Sequence, residues 1–510
     1  MSVTASGAGE FALAHRQPDV FDEAFLEHKD DWDIIVGLEV HVELSTASKL
    51  FCGCANAFGS QPNTNVCPTC LGLPGSLPVM NEKAVTDAMR LGRALNCTVQ
   101  PSVMARKNYF YPDMPKDFQT SQYDQPTNAN GWLDLTSTEP DGSGGRKPIR
   151  ISILRAHIEE DTGKSTHVGG DGRISSAQYS LIDYNRAGVP LLEIVTQPDF
   201  RTAEEAKDYV AELRGIVLAL GVSDAKMEEG SMRVDANVSV RPAGSDELRT
   251  RCEIKNINSL SSLGRAIVYE AKRHIDLYGS GERPIQETRH WDEEAGRTRP
   301  GRSKENEEDY RYFAEPDLTP LIPSDAELAS IDAEMPRTPA RLRALLQEAN
   351  DGTYVAEFEL IIERGVADFA LDSIAAGADA TRVVVHLNNN LADGTGQLTP
   401  ETFAALIHME VSGDLSSTQT KDVLAEMQAN GGDAAAIAAA KGFEAMDTSE
   451  LDGMLDELIA NHADEWDRFC GDDEGDSKKM AGFFTGQIMK ATRGQADGKV
   501  VAQLMQSRRG

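Results

Sequence analysis

The sequence predicts an α+β fold, with an antiparallel sheet and helices in the N-terminal part and helices alone in the C-terminal part. The stretch VGLEVHVEL (36–44) alternates apolar and polar side chains, which is typical of a strand. Residues 202–221 begin with a capping box and end at a glycine, which is typical of a helix. Strand and helix patterns do not alternate regularly before about residue 322, which argues against a doubly wound sheet.

Changes in composition divide the chain into four predicted parts. Residues 1–30 form an acidic arm, and residues 31–322 form the mixed domain. The proline-rich stretch AEPDLTPLIPSD (314–325) marks the end of that domain. Beyond it we expect a helical linker domain over 323–397 and a helical tail domain over 398–510.

The N-terminus lacks the basic and apolar regions of a signal peptide, and no apolar run is long enough to span a membrane. A cytoplasmic location without a membrane partner is therefore expected.

The charge balance is strongly acidic, with 82 acidic against 50 basic residues and a net charge of −32 in 510 residues. Such a charge normally argues against a nucleic-acid partner. Only 18 of the basic residues are lysines, however, and this composition also indicates a halophilic, salt-rich cytoplasm in which surface acids repel little. The segment 478–510 is the exception, with seven bases and one acid. It is either a solvated helix face or a phosphate-contacting module, and its contrast with the rest favours the latter.

Four of the seven cysteines form two close pairs, Cys52 and Cys54 followed after twelve residues by Cys67 and Cys70. This spacing predicts a tetrahedral zinc site, with four unpaired thiols as the alternative. Because cysteine would fill all four positions, the zinc would be structural.

Carboxylates occur on strands that are otherwise apolar. Glu39 and His41 share the polar face of the first strand, Glu193 interrupts an apolar run, and Asp235 and Asn237 lie on the polar face of 231–240. Each polar face by itself is more often solvated than catalytic. Together they predict a cleft lined by oxygen ligands, which suit Mg²⁺ bound with a nucleotide.

The long loop 106–126 carries Lys107, Tyr109, Tyr111 and Lys116, which are candidates to contact a nucleotide or an RNA end. A structural loop anchored by aromatic side chains is the alternative. The tripeptide GKS at 163–165 is not a P-loop, because the glycine required five positions earlier is an isoleucine. Neither a nucleophile elbow nor another convincing covalent nucleophile is found.

Seven stretches together carry a family resemblance. They are VGLEVHVEL, RKNYFYPDMPKDFQTSQYDQP, EEDTGKSTH, LIDYNRAGVPLLEIVTQPD, MEEGSMRVDANVSVRP, EIKNINS and DYRYFAEPDLTP. They resemble the B-subunit family of the aspartyl/glutamyl-tRNA amidotransferases, over about residues 31–510. The chain looks too short for the inserted domain of the sister subunit of the two-subunit archaeal enzyme.

The resemblance implies a cradle-like catalytic domain, a tRNA-binding tail, and an ATP-dependent ligase that converts Asp-tRNA(Asn) or Glu-tRNA(Gln) to the amide. ATP would phosphorylate the side-chain carboxylate, and ammonia would then displace phosphate. The implied partners are an amidase (A) subunit that releases ammonia from glutamine and a small C subunit, which together form a heterotrimer. A non-catalytic, zinc-containing tRNA-binding scaffold is the alternative.

The resemblance also implies roles for residues. The Mg²⁺ cluster would comprise Glu39, His41, Glu160, Glu193 and Asp235. Lys107 would lie near the mouth of the ammonia channel. The predicted catalytic residues are Glu39, His41, Glu160 and Lys107. We therefore expect Glu160→Gln to abolish tRNA-dependent ATP hydrolysis. The predicted nucleotide or substrate contacts are Tyr109, Tyr111, Lys116 and Asn237. The predicted tRNA contacts are Lys478, Lys479, Lys490 and Arg493.

Overall fold

The computed structural model describes residues 28, 30–140, 146–169, 177–303, 310–443, 448–471, 474–492, 496 and 498–509. The chain divides into two compact units, Met1–Arg341 and Leu342–Gly510. Most of the arm predicted over 1–30 lies outside the described residues.

A nine-stranded sheet forms the centre of the first unit. In chain order its strands are β1 (Trp32–Glu43), β2 (Thr98–Val99), β5 (Asn128–Pro140), β6 (Arg146–Glu160), β9 (Pro190–Thr196), β10 (Met232–Pro242), β11 (Cys252–Ile257), β12 (Glu287–Asp292) and β13 (Arg297–Ser303). Their order across the sheet is β13-β12-β11-β10-β1-β9-β6-β5-β2.

The predicted mixture of sheet and helices is confirmed, but the sheet is not wholly antiparallel. The strands β11 and β12 pair in parallel, whereas the neighbouring strands from β11 to β6 are antiparallel. A helix over Leu260–Gly279 lies between β11 and β12 in the chain. A parallel pair needs such a crossover connection, because a tight turn can only reverse the chain.

Two smaller sheets and four helices complete the elements that begin in this unit. The small sheets comprise β3 (Ala105–Asn108), β4 (Phe118–Ser121) and β14 (Phe313–Ala314), and separately β7 (Lys164–Val168) and β8 (Tyr179–Asp183). The helices are α1 (Glu82–Ala94), α2 (Ala203–Leu220), α3 (Leu260–Gly279) and α4 (Asp325–Ala333).

The apolar face of the large sheet packs on α1, α2 and α3. The alternate residues Val36, Val40 and Val42 of β1 have no exposed surface and lie in one cluster with apolar side chains of these helices. Helix α2 begins with the predicted capping box at Thr202 and ends at a left-handed Gly221. Since one face of β1 is taken up by this core, its polar side chains face the other way.

The second unit is helical throughout its described residues. Its helices are α5 (Pro339–Ala349, beginning at the end of the first unit), α6 (Glu357–Glu363), α7 (Ala367–Ala375), α8 (Ala380–Asn389), α9 (Pro400–Ser412), α10 (Ser417–Asn430), α11 (Ala434–Ala440), α12 (Thr448–Asn461), α13 (Ala463–Cys470), α14 (Glu474–Ala491) and α15 (Gly498–Arg508). Two apolar clusters, over 342–438 and 451–505, bury their inner faces. Among the described residues, no helix combines the length and apolar character needed to cross a membrane.

Candidate active site

Five neighbouring strands, β11, β10, β1, β9 and β6, bring their polar residues together on one face of the sheet. His41 of β1 pairs with Glu193 of β9, which in turn pairs with His157 of β6. On the other side of β1, Glu39 pairs with Asp235 of β10. The register therefore aligns ionisable side chains across strands that lie far apart in the sequence.

The first cluster, which we call the imidazole group, consists of His41, Glu159 and Glu193. One ligand atom of each lies within 4.8 Å of the others. His41 Nε2 is 3.5 Å from Glu193 Oε2, and His157 Nε2 is 3.2 Å from Glu159 Oε1. The carboxylate of Glu159 also accepts hydrogen bonds from Ser121 Oγ at 2.6 Å and from the Gln119 amide at 3.0 Å.

Neighbouring histidines and Lys107 keep the two carboxylates of this group ionised. Burial alone would raise the pKa of Glu193, but His157, His41 and Lys107 hold it well below its usual value. Burial would lower the pKa of His41, but the hydrogen bond and charge of Glu193 raise it above the usual value. The carboxylates of the group are therefore ionised, and a metal ion would compete with a proton for the imidazole of His41.

The second cluster, which we call the carboxylate group, consists of Glu39, Asp235 and Glu253, again with ligand atoms within 4.8 Å of one another. The Asn237 amide donates to Glu39 Oε1 at 2.9 Å. Lys255 Nζ lies 2.5 Å from Asp235 Oδ2 and 3.2 Å from Glu253 Oε1.

Both groups fit a divalent cation. Carboxylate oxygens are the ligands that Mg²⁺ and Mn²⁺ prefer, and three protein ligands per group leave positions for water and phosphate oxygens. Among the predicted ligands, Glu39, His41, Glu193 and Asp235 each lie in one of the two groups.

The structure does not bring Glu160 into either group. Consecutive residues of a strand point to opposite faces, so Glu160 lies behind the sheet from Glu159. Its carboxylate forms an ion pair with Lys116 and accepts a hydrogen bond from the Thr120 backbone N–H at 2.7 Å. A cavity of about 230 Å³, lined in part by Lys49, Lys116 and Glu160, lies on this side.

Sequence reasoning chose Glu160 rather than Glu159 as a ligand and missed Glu253. The alternation rule gives a signal for Glu159, because it places His157 and Glu159 together on the polar face of β6. Only the register of β11 against Asn237 of β10 identifies Glu253.

Lys107 and several tyrosines lie close to the imidazole group. Lys107 Nζ is 4.8 Å from the ring centroid of Tyr310. Burial alone would lower the pKa of Lys107, but the charges of Glu159 and Glu193 raise it above its usual value. This lysine therefore remains a cation beside the anionic group.

Tyrosines of the predicted loop pack against other tyrosine rings. The rings of Tyr109 and Tyr111 lie 4.6 Å apart, and Tyr123 stacks on Tyr312 at 4.5 Å. The exposed fraction of Tyr123 is 44%, so part of this aromatic surface is open to a ligand.

The four clustered cysteines converge as the spacing predicts. The Cys70 sulfur lies 3.5 Å from that of Cys52, 3.7 Å from that of Cys67 and 3.9 Å from that of Cys54. A tetrahedron with Zn–S bonds of about 2.3 Å has edges of about 3.8 Å, so the four thiols fit zinc. The nearly fully buried Lys49 donates to the Cys70 sulfur at 3.6 Å, which stabilises its thiolate.

Of the predicted tRNA contacts, Lys478, Lys479 and Lys490 are exposed on α14. Arg493 lies outside the described residues. Arg508 of α15, in contrast, forms an ion pair with Asp452 at 2.9 Å.

The fold and site together define a class of protein. Two clusters of mainly carboxylate ligands on one face of a sheet, beside a lysine and aromatic rings, are typical of enzymes that bind divalent cations with phosphorylated substrates.

Comparisons with known proteins identify the family. A family model described as the GatB/GatE catalytic domain matches residues 34–329, and one described as the GatB domain matches residues 376–508. The chain therefore belongs to the GatB/GatE family, which confirms the resemblance found in the sequence.

Relatives named as the B-subunit of the aspartyl/glutamyl-tRNA(Asn/Gln) amidotransferase match almost the whole chain. That of Synechococcus sp. (strain JA-3-3Ab) is 44% identical over 488 residues, which cover 94% of this chain and 97% of the relative. That of Nocardia farcinica is 45% identical over 490 residues, covering 93% and 95%. That of Frankia casuarinae is 46% identical over 496 residues, covering 94% and 96%. None of these comes from a halophile, and the salt-rich habitat stays a prediction.

Proposed function

We propose that this chain is the ATP-using subunit of a glutamine-dependent amidotransferase that converts Asp-tRNA(Asn) or Glu-tRNA(Gln) to Asn-tRNA(Asn) or Gln-tRNA(Gln). The observation that carries the proposal is the pair of ligand groups on one sheet face, in a chain that belongs to the GatB/GatE family. Such a tRNA substrate is consistent with a location in the cytoplasm.

The proposed reaction has two displacements. An oxygen of the aminoacyl side-chain carboxylate attacks the γ-phosphorus of ATP, and ADP leaves. Ammonia then attacks the acyl carbon, phosphate leaves, and the nitrogen loses a proton to give the amide. Activation is needed because ammonia cannot displace oxide from a carboxylate.

The chain's own residues would bind and orient the reactants. Mg²⁺ held by the two groups would neutralise the repulsion between the carboxylate and the γ-phosphate. Lys107 would attract the same anions, and its place beside Glu159 and Glu193 fits a position where ammonia enters. Tyr109 and Tyr111 are proposed to contact the nucleotide.

Lys116 and Asn237 fit a supporting role better than direct contact with the nucleotide. The first is paired with Glu160 and the second donates to Glu39. We propose that Asn237 orients a metal ligand and that Lys116 acts from the cavity behind the sheet.

Ammonia would come from a separate amidase subunit, with a small third subunit completing a heterotrimer. Exposed apolar side chains near the cysteine loop support a partner surface, since Phe58, Leu77 and Val79 are 84%, 67% and 74% exposed.

The reaction is tested with the chain assembled with its amidase and small subunits in high potassium chloride. ATP, glutamine and each aminoacyl-tRNA are supplied separately, and the amino acid released from each tRNA is measured. We expect asparagine or glutamine from at least one tRNA. If neither tRNA yields the amide while the amidase hydrolyses glutamine, the non-catalytic scaffold replaces this proposal.

The four thiols are proposed to hold a structural zinc ion, on the basis of their near-tetrahedral sulfur distances. We expect one zinc per chain by atomic absorption and none in Cys67→Ser, together with faster proteolysis within 52–70. Mn²⁺ binding to the sheet should be unchanged. A full zinc complement in Cys67→Ser would contradict the assignment.

The helical tail is proposed to bind tRNA through the exposed cations of α14. Replacing Lys478, Lys479 and Lys490 by Gln should reduce the slope of log affinity against log salt by up to about 3. An unchanged slope would place the tRNA contacts elsewhere.

A further inference from the structure

Lys255 lies within the carboxylate group rather than beside it. Its ammonium contacts the carboxylates of both Asp235 and Glu253, at 2.5 and 3.2 Å. These two carboxylates and Glu39 are also the predicted ligands of a divalent cation. A lysine and a metal ion would therefore use the same oxygen atoms.

The net charge of the carboxylate group would be balanced by one divalent ion, but Lys255 opposes the binding of that ion. Glu39, Asp235 and Glu253 together carry −3, and Lys255 reduces this to −2. One divalent ion would balance that charge. Its entry would still break two charge-assisted hydrogen bonds of Lys255 and would bring a second cation against the first.

The imidazole group is held in a different way. Its carboxylate at Glu159 receives hydrogen bonds from the neutral donors Ser121 and Gln119, and it lies 3.2 Å from His157 Nε2. Lys107 is a cation beside the group, but in the part of the chain that the structure describes no lysine forms an ion pair with Glu159 or Glu193. A cation that enters the imidazole group therefore displaces no ammonium from Glu159.

We infer that Lys255 is an intrinsic competitor for the divalent cation of the carboxylate group, so that the imidazole group binds its ion first. The carboxylate group then binds its ion when the phosphates of ATP give the ammonium of Lys255 another anion to contact. The side chain is 39% exposed, which leaves it room to turn. This inference rests on the proposed function, because it takes both groups as metal sites.

The test is a titration of the full chain with Mn²⁺, in which bound and free ions are distinguished by electron paramagnetic resonance. In the absence of nucleotide, wild type should bind one ion tightly and a second at least about tenfold more weakly. Lys255→Met should bind two ions with similar affinity. A non-hydrolysable ATP analogue should give wild type its second tight ion.

Matched variants assign the ions. Lys226 also lies between two carboxylates, Asp224 at 3.6 Å and Glu229 at 2.9 Å, but outside both ligand groups, so Lys226→Met should titrate as wild type. Lys255→Arg, which keeps the charge, should retain the single tight ion. Adding Glu253→Gln to Lys255→Met should remove the second tight ion.

Two results would overturn the inference while leaving the metal-dependent function intact. They are a Lys255→Met titration identical to wild type, or two equally tight ions in wild type. If wild type binds no Mn²⁺ at millimolar concentration with or without the analogue, the metal basis of the proposed function fails together with the inference.

Discussion

Two clusters in the first unit each combine a histidine with glutamate but differ in charge balance. The imidazole group joins one histidine to two glutamates, of which Glu159 is buried and Glu193 is half-buried. A second cluster, which we call the buried network, joins His274 and Cys252 to a single carboxylate, that of Glu270.

Arginines compensate the charge of the buried network. Arg273 Nε donates to Glu270 Oε1 at 3.0 Å, Arg289 Nε lies 3.5 Å from Glu270 Oε2, and Thr298 donates to the same oxygen at 2.8 Å. Two arginines contact the single carboxylate of the buried network, whereas the imidazole group has two carboxylates and one nearby lysine, Lys107. Ligand type therefore does not identify a metal site unless the neighbouring charges are also counted.

The largest expected effect comes from removing a carboxylate from the imidazole group. Glu159→Gln should lower tRNA-dependent ATP hydrolysis by the assembled complex about 10²–10³-fold, because a ligand and its charge are lost. The adjacent Glu160→Gln, on the opposite face and outside both ligand groups, should cost less than about tenfold, instead of abolishing the activity as the sequence led us to expect. Equal losses in the two variants would mean that the two faces of β6 do not differ in function.

A substitution in the buried network should change the stability of the chain and not its activity. Glu270→Gln leaves Arg273 and Arg289 without their carboxylate and should lower the free energy of unfolding by about 3 kcal/mol in a urea titration. Mn²⁺ binding to the sheet should remain as in wild type. If Glu270→Gln kept its stability but lost a bound Mn²⁺ ion, the buried network would be a metal site and not a structural one.

The free energy of unfolding should also depend on pH through the titration of Glu270. Burial alone would raise the pKa of Glu270, but His274 and Arg273 lower it to about 2, from an ordinary value of 4.5. A depressed folded pKa stabilises the fold above the unfolded value, and this stabilisation, about 3 kcal/mol, is lost as pH falls from about 4.5 through about 2.

This pH effect is measured as a difference, because many other acids titrate in the same range. The gap in unfolding free energy between wild type and Glu270→Gln should be full at pH 6 and should shrink steadily below pH 4.5. A gap that stays constant down to pH 2 would exclude titration of Glu270 as its source.

The smallest expected effect tests charge balance directly. Arg273→Met removes one cation from the buried network and should raise its affinity for Co²⁺ at least about tenfold, seen as a thiolate-to-cobalt absorption band. The chain is first saturated with zinc so that the four-cysteine site does not respond. The double variant with Cys252→Ser should lack the band, and its absence in Arg273→Met itself would mean that charge is not what excludes the metal.

Local patterns predicted the elements and one site well. The apolar face of β1, the capped helix α2 and the four-cysteine cluster each depend on residues close together in the chain, where a period of two, a capping box or a cysteine spacing is sufficient. The parallel pair of β11 and β12 was not predicted, because it depends on which strand the chain reaches after α3.

The sequence by itself determined which strands carry ligands, since Glu39, His41, Glu193 and Asp235 are polar residues in otherwise apolar strands. Only the tertiary structure decided which of them share an ion. Strand register joins Glu193 to His41 and Glu39 to Asp235, the two faces of β6 separate Glu159 from Glu160, and Lys255 reaches the carboxylate group from β11. The physical reason is that a metal site requires atoms within a few ångströms of one another, and that proximity arises from pairing between strands far apart in sequence.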